Sequence, residues 1–437
     1  MKVQEARRIV SPFLKGDSMI SKKKHYIILV VAIIISVSAS AVGTYFIGGQ
    51  IGIKTGDQIA VDKEVLQILV ENQKRYAKLI TLEEFIKENY LEEVTDEQLL
   101  EGELKGLFAS LGDKYSEYMS VKDFKSYMED TEGGYAGIGI VVGISKDFEI
   151  IIANYTTING PAERAGIKIG DRILGVDNIE FKANTIEEAS KNLEKAVSIM
   201  KGEAKGKVKL KILGADEKNV VKTRIVEVPR EEIKYISAYS EMLSKDVGYI
   251  RLVQFDEHIA DDFNAHYDKL KAAGMKKLVL DLRNNTGGLV DTSVAIADRL
   301  IPKNEKIVYT EERSGRQEYH VSRKDPIKEP YVILVNELTA SASEILSGAV
   351  KDTKSGVLIG TKTFGKGIVQ TIRELKDGSG FKLTISKYFT PNGTSIHLTG
   401  IEPNIVVELP ENVKNIGPKN LDEDTQLQRA IKELESK

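Results

Sequence analysis

The stretch Tyr331-Val332-Ile333-Leu334-Val335-Asn336-Glu337-Leu338-Thr339-Ala340-Ser341-Ala342-Ser343-Glu344-Ile345 passes from an unbroken apolar run into a helical pattern, with serines at the crossing. The run Tyr331–Val335 reads as a buried strand, and the spacing after it predicts a helix over Ser343–Val350. A helix N-terminus presents unpaired N–H groups and partial positive charge, which suits a developing oxyanion. The plain reading of Ser341 or Ser343 is a helix N-cap. A serine hydroxyl becomes a useful nucleophile only when a base takes its proton. A candidate base lies 25 residues further on, in Thr363-Phe364-Gly365-Lys366-Gly367-Ile368-Val369-Gln370. Lys366 is flanked by glycines, so other backbone can come close. Apolar Ile368 and Val369 follow and would help to bury it. Burial disfavours the charged amine, and a neutral lysine is a base; the plain reading is an exposed lysine in a turn. On a strand, residues four apart share a face, so Gln370 would point the same way as Lys366 and orient its amine.

Working outward, the pattern on both sides is strand–helix alternation. Strands are expected at Gly248–Val253, Lys277–Leu282, Val357–Gly360 and Phe381–Tyr388, and helices at Ile259–Ala273 and Val290–Leu300. Such alternation implies an α/β layer around a mainly parallel sheet. The strand Lys277–Leu282 runs into Arg283-Asn284-Asn285-Thr286-Gly287-Gly288, a polar loop with two glycines at a strand's carboxyl end, where α/β sheets place ligand sites. Glycine N–H groups there can approach a substrate carbonyl without a Cβ in the way; the plain reading is an ordinary strand-to-helix turn.

Upstream, residues 131–228 change character. Short strands (Ile138–Val142, Glu149–Ala153, Arg172–Val176, Val208–Leu213) surround a helix at Thr185–Met200, with Thr185 as its cap and Glu188 at N3. This is the content of a small independent α+β module. Before it, residues 57–130 are helical in pattern. Val61, Val65, Ile68 and Leu69 recur at helical spacing, as do Leu79, Leu82, Ile86 and Tyr90. Thr95 and Gln98 form a capping box for a helix carrying Leu100, Leu104, Leu107 and Leu111. These helices either pack on their own chain or pair with a second copy. The tail, 411–437, carries Leu427, Ala430, Ile431 and Leu434 on one helical face, a candidate for packing against the N-terminal helices.

Tyr26–Ile47 is 22 residues without a charge, preceded by Lys22, Lys23 and Lys24. About 20 apolar residues cross a bilayer as a helix, and the lysines place residues 1–25 in the cytoplasm and the rest outside. Ala39-Ser40-Ala41 resembles a signal-peptidase site, but the apolar run exceeds the usual signal length of about 7–15 residues. The segment reads as an uncleaved single-pass anchor in the cell membrane. The chain of 437 residues has no cysteine, which excludes disulfides, thiol catalysis and thiolate metal sites. Five scattered histidines with no HExxH spacing give no metal site. A net charge of −3 gives no reason to expect nucleic acid. No GxSxG is present, and the one prominent SxxK, Ser21 to Lys24, lies beside the anchor.

Taken together, DLRNNTGG at 281–288, TASASEI at 339–345 and TFGKGIVQ at 363–370 resemble the signature segments of the carboxyl-terminal processing proteases, also called tail-specific proteases. Leu111-Gly112-Asp113-Lys114-Tyr115-Ser116 and Tyr388-Phe389-Thr390-Pro391-Asn392-Gly393 match further family segments. The resemblance runs from about residue 85 to the end. It departs at Thr339, where serine is usual, and over Asp352–Gly356. It implies a multidomain α/β protein whose protease core, 229–410, is of the ClpP/crotonase type. It implies Ser341 as nucleophile, Lys366 as general base, Gln370 positioning the lysine, and an oxyanion hole from Gly287 (or Gly288) and Ala342. Glu344 and Asp352 are expected as structural supports. The module 131–228 resembles the family's PDZ domain. Tyr135-Ala136-Gly137-Ile138-Gly139-Ile140 matches its carboxylate loop, so Gly137, Ile138, Gly139 and Ile140 would bind a substrate's C-terminus. The implied partners are protein or peptide substrates with free apolar C-termini and a second copy in a homodimer; no cofactor is implied. The implied function is a membrane-anchored endopeptidase acting near C-termini, the rival being a catalytically silent PDZ scaffold.

Overall fold

The computed structural model describes residues 63–436, apart from 158, 203, 216–219, 412 and 414. The expected anchor at 26–47 and the cytoplasmic segment 1–25 lie outside the described residues. Within them, no helix is long and apolar enough to cross a membrane. The chain divides into two units, 1–100 and 101–437. The first contains the helix Lys63–Asn89 and the start of the helix Asp96–Ala109. The capping box is reciprocal: Gln98 N–H donates to Thr95 Oγ1 (3.2 Å) and Thr95 N–H to Gln98 Oε1 (2.9 Å). Along the long helix Tyr76, Ile80, Leu82 and Phe85 are exposed, Phe85 by 62%.

The core of the second unit is a six-stranded sheet in the order Ala238–Met242, Val247–Leu252, Lys277–Asp281, Tyr331–Val335, Val357–Gly360, Ile405–Val406. All neighbours are parallel except the first pair. Central parallel strands are apolar on both faces, and all five residues of Tyr331–Val335 are buried. One face packs under the helices Ile259–Ala272, Val290–Leu300 and Ala342–Thr353 through Leu280, Ile333, Phe263, Ile296 and Leu346. The other packs Val279, Val332, Leu334 and Ile359 against Leu427, Ala430 and Leu434 of the tail helix Thr425–Glu435. The apolar stripe of the tail thus covers the protease sheet, which corrects the expected packing on the N-terminal helices.

A second sheet joins Glu117–Met119, Gly380–Phe389, Lys306–Glu312 and Gln317–Val321, with Ile368–Glu374 also on Gly380–Phe389. The hairpin 306–321 lies outside the expected strands: Lys306–Glu312 carries its apolar residues as a run, with Ile307 and Val308 both buried, and not in alternation. The strand Glu117–Met119 falls inside the segment expected to be helical, and its pairing makes part of 57–130 belong to this sheet. The small module is a six-stranded antiparallel sheet with the helix Ile186–Met200 over its core of Ile138, Ile152, Ile173 and Leu210. Thr185 caps that helix as expected, taking the Glu188 N–H, while the Glu188 carboxylate accepts from Asn184. A ribbon of Gly134–Gly137 with Glu231–Lys234 ties the entry and exit of the module together.

The tail is held by charge as well as by apolar packing. Arg283 is fully buried and bonds Asp281 and Asp424, the Asp424 oxygens at 2.8 Å each, with Gln426 Oε1 at 3.0 Å. Tyr249 Oη donates to Asp281 Oδ2 at 2.8 Å and Gly417 N–H to Asp424 Oδ2 at 2.8 Å. Removing one partner of a buried ion pair strands the other's charge and costs about 3–5 kcal/mol. Asp424→Ala is therefore expected to lower unfolding stability by that amount in urea titration; a loss below about 1 kcal/mol would show that Arg283 is satisfied without it.

Candidate active site

Ser341 sits where the strand Tyr331–Val335 has turned into the helix Ala342–Thr353, with φ 57° and ψ −118°. A non-glycine residue there is strained, by about 1–3 kcal/mol, and persists only where its surroundings over-determine it. The surroundings can be named. The Ser341 N–H donates to Glu344 Oε2 (2.9 Å) and its carbonyl accepts the Glu344 N–H (2.8 Å). Its carbonyl also accepts Tyr388 Oη at 3.0 Å. On either side, Ala340 N–H and Ser343 Oγ both donate to the Asn285 carbonyl at 3.0 Å, and Ser293 Oγ donates to the Ala342 carbonyl at 2.6 Å. Ser343, the other cap candidate, is committed to the glycine loop.

That loop is pressed against the serine. A Cβ on Gly287, whose φ is +102°, would lie 2.7 Å from Ser341 Cβ and 2.9 Å from Ala342 N. Asn285 shapes it, with Nδ2 on the Leu252 carbonyl and Oδ1 accepting the Gly287 N–H, each at 2.9 Å. Of the expected oxyanion donors, Gly287 thus has its N–H on Asn285, while the N–H groups of Ala342 and Gly288 have no partner among the described residues. Asn336 and Asn284 exchange two bonds across the turn (2.7 and 2.9 Å). Thr339, the departure from the family pattern, is fully buried; its hydroxyl donates to the Leu282 carbonyl and accepts the Asn336 N–H, both at 2.9 Å. A threonine supplies the hydroxyl that a serine would.

Glu344 is the junction. Its side chain is fully buried, and besides Ser341 N–H it accepts Lys366 N–H (2.9 Å), Gly365 N–H (2.8 Å) and Thr363 Oγ1 (2.6 Å). One carboxylate therefore fixes the backbone of both expected catalytic residues. The close approach expected at the glycines is present: a Cβ on Gly365 would meet Gly400 N at 2.8 Å and one on Gly367 His397 N at 2.6 Å.

Lys366 is half-buried, with Nζ 4.9 Å from the ring centre of Tyr115. Burial pushes its amine below the ordinary lysine value; the charge of Lys382 adds to this, while Asp113 and Glu344 oppose it. The expected geometry with Gln370 needs correction. Lys366 precedes the strand Ile368–Glu374, and the register slips between Val369 and Gln370, so strand alternation does not carry one side chain to the other. Gln370 Nε2 donates to Thr384 Oγ1 at 3.1 Å. Among the described residues no hydrogen bond links the Ser341 hydroxyl, the Lys366 amine and the Gln370 side chain. Asp113, Tyr115, Thr384 and Tyr388, none of them given a role by sequence reasoning, line or brace the site; the runs LGDKYS and YFTPNG were the signal for three of them. Asp352 braces a turn, accepting the Asn392 N–H at 2.9 Å.

In the small module, Tyr135, Ile138, Ile140, Val142, Val197, Met200 and Lys201 line a cavity of about 40 Å³ between the strand Ile140–Ile144 and the helix Ile186–Met200. Gly139, with φ +78°, turns the loop at its mouth, and the N–H groups of Ile138 and Gly139 have no partner among the described residues.

A strained serine at a helix start and a half-buried lysine share one buried carboxylate through their backbone N–H groups, in an α/β core joined to a small antiparallel module. The comparisons define the class, a serine peptidase. Residues 246–407 match the model of Peptidase family S41, residues 126–213 that of the PDZ domain, and residues 38–123 that of the activating protease CtpB N-terminal domain. The chain is 35% identical over 395 residues to the carboxy-terminal processing protease CtpA of Bacillus subtilis (strain 168), covering 90% of this chain and 78% of that one. It is 35% identical over 329 residues to the carboxyl-terminal-processing protease of Picosynechococcus sp. (strain ATCC 27264 / PCC 7002 / PR-6), covering 74% and 76%. A solved structure, the photosystem II D1 C-terminal processing protease, superposes with a TM-score of 0.45 at 26% identity, covering 78% of this chain and 88% of that one. The chain belongs to peptidase family S41 and is a carboxy-terminal processing serine protease with a PDZ domain.

Glu344→Gln would place an amide N–H₂ among N–H donors and leave at least one of them unpaired in the core. The expected result is a stability loss of about 1–3 kcal/mol in urea titration, with peptide cleavage falling further than the unfolded fraction explains. Cleavage and stability both at the parent level would remove Glu344 from this role.

Proposed function

We propose that Ser341 is the nucleophile, Lys366 the general base and Gln370 the residue that positions the lysine. The observation that carries this reading is the shared Glu344 carboxylate, which bonds the N–H of both Ser341 and Lys366 at 2.9 Å, while burial lowers the pKa of the lysine amine. The neutral amine leaves the Tyr115 ring and takes the Ser341 Oγ proton as Oγ attacks the scissile carbonyl. The oxyanion is received by the N–H of Ala342 and of one of the glycine pair, Gly288 or, once it releases Asn285, Gly287. The lysine ammonium then protonates the leaving amine, and water, deprotonated by the same lysine, clears the acyl-enzyme.

The PDZ module binds the substrate's terminal carboxylate through the Gly137–Ile140 loop. The unpartnered N–H groups of Ile138 and Gly139 support this, as does the apolar cavity behind them, which suits an apolar last residue. Residues 26–47 anchor the protein in the cell membrane with residues 1–25 cytoplasmic and the protease outside; the uncharged 22-residue run after three lysines supports it. The exposed Tyr76, Ile80, Leu82 and Phe85 support a homodimer through the helix Lys63–Asn89.

The test is cleavage of a peptide with an apolar free carboxyl end by the full chain. Ser341→Ala and Lys366→Ala are each expected to lower kcat by about 10³-fold or more, and amidating the peptide's end to raise KM. Retained cleavage by Ser341→Ala would end the nucleophile assignment, and equal cleavage of the amidated peptide would end the PDZ role.

The pH dependence has a definite sign. The base works only when neutral, so kcat/KM should rise with pH through the Lys366 pKa of the free enzyme. Because that pKa is lowered, the ascending limb should lie below the ordinary lysine value of about 10.4. A limb at or above that value would rule out a discharged lysine.

A further inference from the structure

The Lys366 amine has neither a hydrogen bond nor an ion pair among the described residues. What it meets is an aromatic face: Nζ lies 4.9 Å from the ring centre of Tyr115. A second ammonium uses the same ring, with Lys114 Nζ 5.0 Å from its centre and 5.4 Å from that of Phe364. The backbone that carries the ring is built in place. The Tyr115 N–H donates to Asp113 Oδ1 at 3.0 Å, and Ser116 Oγ donates to Asp113 Oδ2 at 2.6 Å and accepts the Thr384 N–H at 2.9 Å. The residues that follow, Glu117–Met119, pair with Gly380–Phe389. Tyr115 is thus tied to the strand that also pairs with Ile368–Glu374, just after the base.

An aromatic face attracts a cation within about 6 Å through its quadrupole, more strongly where water is excluded. The attraction acts on an ammonium far more than on a neutral amine. The mechanism above makes Lys366 an ammonium twice in each turnover, first with the Ser341 proton and then with the proton of water. Burial and the Lys382 charge work against that form, and Asp113 and Glu344 favour it. An amine whose charged form is too costly is a weak base, and proton transfer follows basicity. We propose that Tyr115 is a positioning residue for proton transfer, its ring face holding the Lys366 ammonium and keeping the amine basic enough to deprotonate Ser341. This rests on the reading of Lys366 as the base. The Tyr115 hydroxyl has no hydrogen bond among the described residues, so the ring alone does this work.

The experiment compares Tyr115→Phe, Tyr115→Leu and a trifluorinated phenylalanine put in place of Tyr115, which keeps a ring of similar shape and strips its face of negative potential. It measures kcat and kcat/KM for the apolar-ended peptide with the full chain, and the rate at which a fluorophosphonate probe labels Ser341, all across pH. Tyr115→Phe is expected to stay within about twofold of the parent, with its ascending limb unmoved. Losing the ring's attraction lowers the lysine pKa. The trifluorinated variant and Tyr115→Leu should therefore move the limb to lower pH by about 0.5–1 unit. Their plateau kcat and labelling rate should fall about threefold to tenfold, with KM within about twofold of the parent. The charged and titratable groups bearing on Lys366 are Lys382 on its strand, Asp113 and Lys114 beside Tyr115, Glu344 on its helix, and His397 against Gly367; these variants alter none of them.

A trifluorinated variant with the limb and plateau of Tyr115→Phe would overturn the proposal, as a ring that only fills space behaves in that way. A limb moved to higher pH would also overturn it, and so would a Tyr115→Phe variant as impaired as Tyr115→Leu, which would assign the work to the hydroxyl. The fluorinated ring carries the test if Tyr115→Leu fails to fold. If instead Lys366→Ala cleaves at the parent rate, it is the base assignment that fails, and the role of the ring falls with it; an inactive Lys366→Ala beside an unmoved limb in the trifluorinated variant removes the role of the ring alone.

Discussion

A single buried carboxylate sets the geometry of this protease. Glu344 accepts from the backbone of Ser341, Gly365 and Lys366 and from the Thr363 hydroxyl, and these donors arrive on two segments that share no secondary-structure element. An ionised carboxylate in a closed core is tolerable only if its lone pairs are filled. Glu344 meets that condition by drawing the Ser341 turn and the Thr363–Lys366 loop to one point. The requirement that keeps the carboxylate satisfied also sets those two backbones in register.

The serine's backbone angles follow from this. A residue at φ 57°, ψ −118° relaxes unless every neighbour resists, and here the Glu344 side chain, the Tyr388 hydroxyl, the Asn285 carbonyl beside it and the Gly287 Cα against its Cβ all resist. The strain is localised at Ser341, and the bonds that confine it come from three separate parts of the chain. Lys366, by contrast, is held at its backbone by Glu344, while its amine lies over the Tyr115 ring.

Much of this was legible in the amino-acid sequence. Val290–Leu300, Tyr331–Val335 and Val357–Gly360 have the expected bounds, because buried parallel strands and core-facing helices carry strong local patterns. Ser341 and Lys366 stood out because a serine at a strand-to-helix crossing and a lysine between glycines are unusual in combination. What the pattern could not show depends on contacts across the chain. The bulge before Gln370 breaks an alternation that local sequence takes for granted. The partner of the tail helix is decided by Arg283, whose charge is invisible to an apolar-stripe argument. Asp113, Thr384 and Tyr388 look like ordinary loop and strand residues until folding places them behind the lysine and the serine. The hairpin 306–321 was missed because its first strand carries Ile307 and Val308 as a buried run and not in alternation. The anchor remains a matter of sequence, since it precedes the described residues.

The buried ion pair of the tail bears on how the enzyme is made. Arg283 meets Asp424 across 141 residues of chain, and the sheet takes its last strand only at Ile405–Val406. A ribosome has already released Ser341 and Lys366 long before it reaches Asp424. Until then the guanidinium has only Asp281 and the sheet's second face has no cover. The protease fold therefore closes late in synthesis, and a chain ending upstream of Asp424 lacks both the cover of the sheet's second face and the second carboxylate of Arg283.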